Sequence, residues 1–152
     1  MRSFASCLLA AFTLASAGCG KKEAPKPAEQ PAALPAPPPA PLAVASVELG
    51  KGVDSMKMVT GGTMIFGVKD TIYASVGTTG IGSNAAIGAK WSFVKKDGSL
   101  VPVNESSQTI TTSGPVATEF HITKASAWPK GKYRIEVTLN GMAAGTRDFE
   151  VQ

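Results

Sequence analysis

Trp128-Pro129-Lys130-Gly131-Lys132-Tyr133-Arg134-Ile135-Glu136-Val137-Thr138-Leu139-Asn140-Gly141 decides the fold. From Lys132 the run alternates strictly. Tyr133, Ile135, Val137 and Leu139 fall on one side, and Lys132, Arg134, Glu136 and Thr138 on the other. Side chains on a strand point to opposite faces with a period of two, so this is a strand with one buried and one wet face. Sheets of that kind are antiparallel. Asn140-Gly141 follows directly, and both residues tolerate the positive φ of a tight hairpin turn, so a second strand should return from it.

The same pattern recurs upstream. Phe120 and Ile122 oppose Glu119, His121 and Thr123, and Ile87, Ala89, Trp91 and Phe93 oppose Lys90 and Ser92. Asp97-Gly98 predicts another hairpin. Short runs bounded by Gly, Pro, Asn and Asp predict strands near residues 44–49, 64–68, 71–78, 86–95, 99–101, 108–112, 119–123, 132–139 and 146–151, one of the short ones being irregular. No segment carries a sustained helical period. About seven or eight strands, each apolar on one face, bury those faces by packing two sheets together. The expected class is therefore all-β, an antiparallel β-sandwich.

The sandwich is assigned to residues 43–152, the only stretch of globular composition and long enough for one core. It holds eleven Lys plus Arg against nine Asp plus Glu, so half of the chain's formal charge of +4 comes from the residues before it. That balance lacks the strong basic asymmetry of nucleic-acid binders, and no nucleic-acid partner is expected. The two cysteines, Cys7 and Cys19, both precede the domain. The domain therefore has neither a disulfide nor a thiolate metal site.

Residues 19–42 read as a tether. Eight prolines lie between Pro25 and Pro41, interleaved mostly with alanine. Proline fixes φ and removes backbone donors, so helix and sheet are both disfavoured. An extended polyproline geometry would give a reach of about 50 Å from Ala24 to Pro41.

Residues 1–18 have the three parts of an export signal: Arg2, an apolar stretch from Phe4 to Leu14, and the small residues Ala15 to Gly18. The apolar stretch is too short to span a bilayer as a helix. Ala17-Gly18-Cys19, followed by Gly20-Lys21-Lys22, resembles the lipobox of bacterial lipoproteins, with Ser16 standing where that pattern has leucine. The resemblance implies cleavage before Cys19 and lipid attachment to it, hence a palmitate-bearing, membrane-held protein of the cell envelope. Gly20, rather than an aspartate, implies the outer membrane under the enteric sorting pattern.

A second resemblance covers most of residues 44–152. Lys69-Asp70-Thr71-Ile72-Tyr73-Ala74-Ser75-Val76, Ala89-Lys90-Trp91-Ser92-Phe93 and the segment from Trp128 to Val137 resemble Gram-negative envelope lipoproteins with an immunoglobulin-like or fibronectin type III-like domain. Gly131-Lys132-Tyr133 is similar to the tyrosine corner of such sandwiches, in which the phenol bonds to the backbone a few residues upstream. The resemblance implies an Ig-like fold placed in the periplasm; the expected role is binding, with a protein or an envelope polymer as partner, because such sandwiches bind through edge strands or end loops. It implies no reaction.

Other motifs give weaker chemistry. Gly80-Ile81-Gly82-Ser83-Asn84-Ala85 matches a relaxed dinucleotide fingerprint, but a strand-type run follows it where that motif needs a helix. The glycines of 77–88 are expected to form a mobile loop, which joins Gly50–Gly62 as a candidate binding loop. His121 is the only histidine, on the solvent side of its strand. Catalysis is not expected, and neither a cofactor nor a metal is assigned. The alternative is a small-ligand or copper carrier using Met56, Met58 and Met64, since thioethers suit Cu(I). Lys124, Lys130, Lys132 and Arg134 form a possible basic patch for anionic glycans or lipid.

Overall fold

The alternating run from Tyr133 to Leu139 is the centre of the larger of two sheets. In the computed structural model, which describes residues 38–152, the strands are β1 (Ala43–Gly50), β2 (Ile65–Phe66), β3 (Ile72–Thr79), β4 (Gly82–Val94), β5 (Leu100–Thr112), β6 (Val116–Ile122), β7 (Gly131–Leu139) and β8 (Met142–Val151). β1, β3 and β6 form a three-stranded sheet in the order β1-β3-β6. The others form a five-stranded sheet in the order β2-β8-β7-β4-β5. All neighbours are antiparallel except the two-residue pairing of β2 with β8. The expected all-β sandwich is what the chain forms. Residues 1–18, Cys19 and the tether up to residue 37 lie outside the described residues.

The residues read as one face of each strand become the core. Ile87, Ala89 and Trp91 of β4 pack with Tyr133, Ile135 and Val137 of β7, against Ile72, Ala74 and Val76 of β3 and Phe120 and Ile122 of β6. Burying each of these large side chains contributes about 1.5–3 kcal/mol. An aromatic group fills one end. Tyr133 stacks on Phe149 with ring centroids 5.4 Å apart, and meets Phe93 and Trp128 edge-on at 5.1 and 6.2 Å. Tyr133 also donates its hydroxyl to the carbonyl of Pro129 at 2.8 Å. This is the corner expected from Gly131-Lys132-Tyr133.

Both expected hairpins form, by different turns. Asn140 and Gly141 have φ of 51° and 80°, as a type I′ turn requires. At Asp97-Gly98 only Gly98 is left-handed, at 82°. The Gly98 amide bonds back to Lys95 O and the Lys95 amide to Ser99 O, which makes a three-residue loop closed by a glycine.

Two expectations need correction. β5 is one strand of 13 residues, not two short ones. Pro102 and Asn104-Glu105-Ser106-Ser107 suggest a break. At a sheet edge, however, proline needs no ladder donor and both faces can be polar. The register slips between Asn104 and Pro102, which accommodates the proline. The 77–88 segment is not a loop either. β3 runs to Thr79 and β4 starts at Gly82, so Gly80 and Ile81 alone carry the chain from one sheet to the other. Gly80 has φ of 94°, and a Cβ there would lie 2.3 Å from the carbonyl oxygen of Pro41. Its freedom from a side chain is what permits so short a crossing.

Among the described residues, two buried side-chain polar atoms lack a partner: Trp91 Nε1 and Ser92 Oγ. An unpaired buried hydroxyl costs about 1–3 kcal/mol. Ser92→Ala is therefore expected to raise stability by about 1 kcal/mol, read from urea denaturation. A loss of that size would show that the hydroxyl is satisfied in solution.

Candidate functional site

The topology sorts the connections into two poles. The chain arrives at one pole, where Ile81 accepts from the Leu42 amide (3.1 Å) and donates to Ala40 O (3.0 Å). The Gly80-Ile81 crossing, the 113–115 turn and the Asn140-Gly141 turn share that pole. The connections at 51–64, 67–71, 95–99 and 123–130 gather at the other, because β1 and β6 end there, and β3 and β7 start there.

Each connection at the second pole is held by a local device. Asp54 accepts the amides of Met56 (2.8 Å) and Met58 (2.9 Å), and Gly50 and Val53 bridge to Gly62 and Val59. Asp70 accepts from Lys51 Nζ at 2.7 Å and from the Gly67 amide at 2.8 Å. The Lys51 hydrogen bond and then the Gly67 amide hold its carboxyl below the ordinary range. Trp128 donates its indole N–H to Asp70 O at 2.9 Å and its amide to Val68 O at 2.7 Å. The 123–130 segment is thereby pinned to the 67–71 turn.

Beside Trp128 the two sheets leave a groove of about 530 Å³. β5 extends the larger sheet beyond the cover of the smaller one, and most of its residues are exposed on both faces. Phe93 of β4 and Val101 and Val103 of β5 form one wall; Ile122 and Trp128 form the other, with Tyr133 at the base. His121, Thr123, Lys124 and Asn104 supply the polar rim. Among the described residues β5 pairs only with β4 and β6 only with β3, so both strands beside the groove present unpaired edges. The side chain of Gln108 bridges them lower down, donating to Glu119 O at 2.6 Å.

The residues singled out in the sequence scatter around this groove. His121 is exposed on the side expected, with Nδ1 2.6 Å from Glu119 Oε1 and its ring beside Tyr73. Met56, Met58 and Met64 are exposed in or next to the 51–64 connection. Among the described residues no group of three or more His, Cys, Asp or Glu could hold a metal ion. Lys124, Lys130, Lys132 and Arg134 do not form one patch. Arg134 is tied to Asp148 by two hydrogen bonds of 2.6 and 3.1 Å, and that pairing holds the Asp148 carboxyl low. Lys124 lies over the Trp128 ring at 5.9 Å, where its charge meets the ring face. Gly50–Gly62 is a braced turn, and Cys19 lies outside the described residues. Sequence reasoning missed Val101 and Val103 as groove residues. Their signal was the apolar Leu100-Val101-Pro102-Val103, which runs past the end of the short strand predicted at 99–101.

The sandwich can be superposed on solved structures. An immunoglobulin-like protein from Pseudomonas aeruginosa superposes with a TM-score of 0.53 at 16% identity, over 74% of this chain and 98% of that one. The fold is immunoglobulin-like. Looser likenesses include the alkylpurine DNA glycosylase AlkC of Pseudomonas fluorescens (TM-score 0.45, 13% identity, 73% of this chain and 30% of that one). Another is a β-glucosidase from Listeria innocua (0.44, 12%, 73% and 16%). Those two scores carry no fold assignment. No family model and no curated protein matches the sequence. Among the described residues no helix is long and apolar enough to cross a membrane.

Proposed function

We propose that this chain is a non-enzymatic, lipid-anchored module of the bacterial cell envelope that binds an extended segment of a partner protein in the groove between β5 and β6. The observation that carries this reading is the meeting of two unpaired strand edges beside a groove with apolar walls of Phe93, Val101, Val103 and Ile122. An added strand would take main-chain hydrogen bonds from an edge, while its alternate side chains would fill the groove. The anchor rests on Cys19 and the leader before it. Lipid there holds the chain at a membrane, the outer one if Gly20 sorts it as in enteric bacteria. The proline-rich segment then gives about 50 Å of reach.

Photo-crosslinking in the native cell tests both halves. Val103 and Val116 are equally exposed, at 38%, but Val116 lies at the start of β6, at the other pole. A photoreactive residue at Val103 is expected to give a discrete adduct with one protein, and at Val116 none. In the same cells Cys19→Ser should move nearly all of the protein from the membrane to the soluble fraction and abolish labelling by a palmitate analogue. Identical adducts from both positions, or none from Val103, would remove the groove. Unchanged fractionation and labelling would remove the anchor.

A further inference from the structure

The lysines of the domain are not spread evenly. Nine lie among the described residues, and eight of them (51, 57, 69, 95, 96, 124, 130 and 132) sit at the pole away from where the chain arrives. Three carboxylates in the connections there are engaged locally. Asp54 caps its own turn, Asp70 takes Lys51, and Asp97 accepts the amide and hydroxyl of Ser99 at 2.9 and 2.6 Å. Lys95, Lys96, Lys130 and Lys132 have no carboxylate within ion-pairing distance among the described residues.

Those four lysines line one cleft of about 820 Å³, between the β4–β5 hairpin and the start of β7. Val94 pairs with Lys132 across the sheet, which sets the hairpin beside β7. Glu150, the cross-strand neighbour of Lys132, is the one carboxylate in the lining. Asp148 also acts on Lys132 but is itself tied to Arg134, so the cleft keeps a net positive charge. Like charges lining one cleft repel one another, and an anion that enters relieves the repulsion.

We propose that this cleft binds a linear polyanion, a flexible chain carrying repeated phosphate or carboxylate groups. The site is distinct from the groove between β5 and β6. Lysine ammoniums are mobile point charges without the planar fork of arginine, so they answer charge density along a chain better than a single planar group. An anionic membrane surface fits less well. The lysines line a concavity, which a flexible chain can enter and a flat headgroup plane cannot.

Binding of the full chain in detergent to inorganic polyphosphate and to polygalacturonate, at 0.15 M salt, tests the site and distinguishes phosphate from carboxylate. Lys95→Gln with Lys130→Gln is compared with Lys57→Gln with Lys90→Gln, which removes the same charge outside the cleft. All these side chains are exposed, so both variants should melt near the wild type. The expected result is binding of at least one polymer, about tenfold weaker in the cleft variant and less than twofold weaker in the other. Binding should also weaken as salt rises. No binding to either polymer would overturn the proposal. So would equal losses in the two variants, or binding confined to anionic vesicles.

Discussion

Tyr133→Ala is expected to lower the melting temperature of the domain by roughly 15 °C or more, through a loss of about 3–5 kcal/mol. Tyr133 is almost wholly buried and joins three rings at once, stacking on Phe149 and meeting Phe93 and Trp128 edge-on. Truncation leaves a cavity where these rings converge, and each loses its neighbour. Domains of this size are stable by only about 5–15 kcal/mol, so the loss is a large fraction of the whole. Tyr133→Phe separates ring from hydroxyl. It removes the bond to Pro129 O but keeps the packing, and Pro129 is exposed enough for water to replace the donor. The expected cost is about 1 kcal/mol. If the phenylalanine variant melts as low as the alanine variant, the corner bond dominates and the packing argument fails. An alanine variant within a few degrees of the wild type would place the stability of this pole elsewhere.

The position of Tyr133 was legible because alternation and burial share one cause. A strand with one side in water and one against another sheet must alternate, so Tyr133, Ile135 and Val137 could be placed in the core from the sequence. The same reasoning placed Trp91 on an interior strand and His121 on the surface. It failed for β5, where that cause is absent. Most of β5 overhangs the smaller sheet, so its residues face water on both sides and nothing demands alternation. Glycine posed the opposite problem. Gly77, Gly80, Gly82 and Gly88 together suggest mobility, yet most of them sit inside strands. A sequence does not show whether a glycine is there for freedom or for a close neighbour. The groove was illegible for a related reason. It is made by the unequal widths of two sheets, three strands against five, and no local pattern records how many strands the opposite sheet will have.

Gly80 separates those two meanings of glycine experimentally. Gly80→Ala is expected to cost about 2–4 kcal/mol, since the new methyl group meets backbone and not a side chain that can swing away. The Cβ would stand 2.3 Å from Pro41 O and 2.8 Å from Ala40 O, at a φ of 94° that alanine rarely adopts. Relief requires Ala40 and Pro41 to move, which breaks the hydrogen bonds of Ile81 to Ala40 and Leu42. Gly98→Ala is the matched control. It also has positive φ, at 82°, but a Cβ there meets nothing within 4 Å, so only the backbone term remains, about 1–2 kcal/mol. Urea denaturation of the two variants measures the difference. Limited proteolysis locates it, because in Gly80→Ala the chain around residues 40–42 should be cut sooner, while Gly98→Ala should keep the wild-type pattern there. Equal costs, with no new cleavage near Pro41, would mean that the arriving chain moves aside at little expense. The seam between Ala40–Leu42 and Ile81 would then not be part of the folded unit.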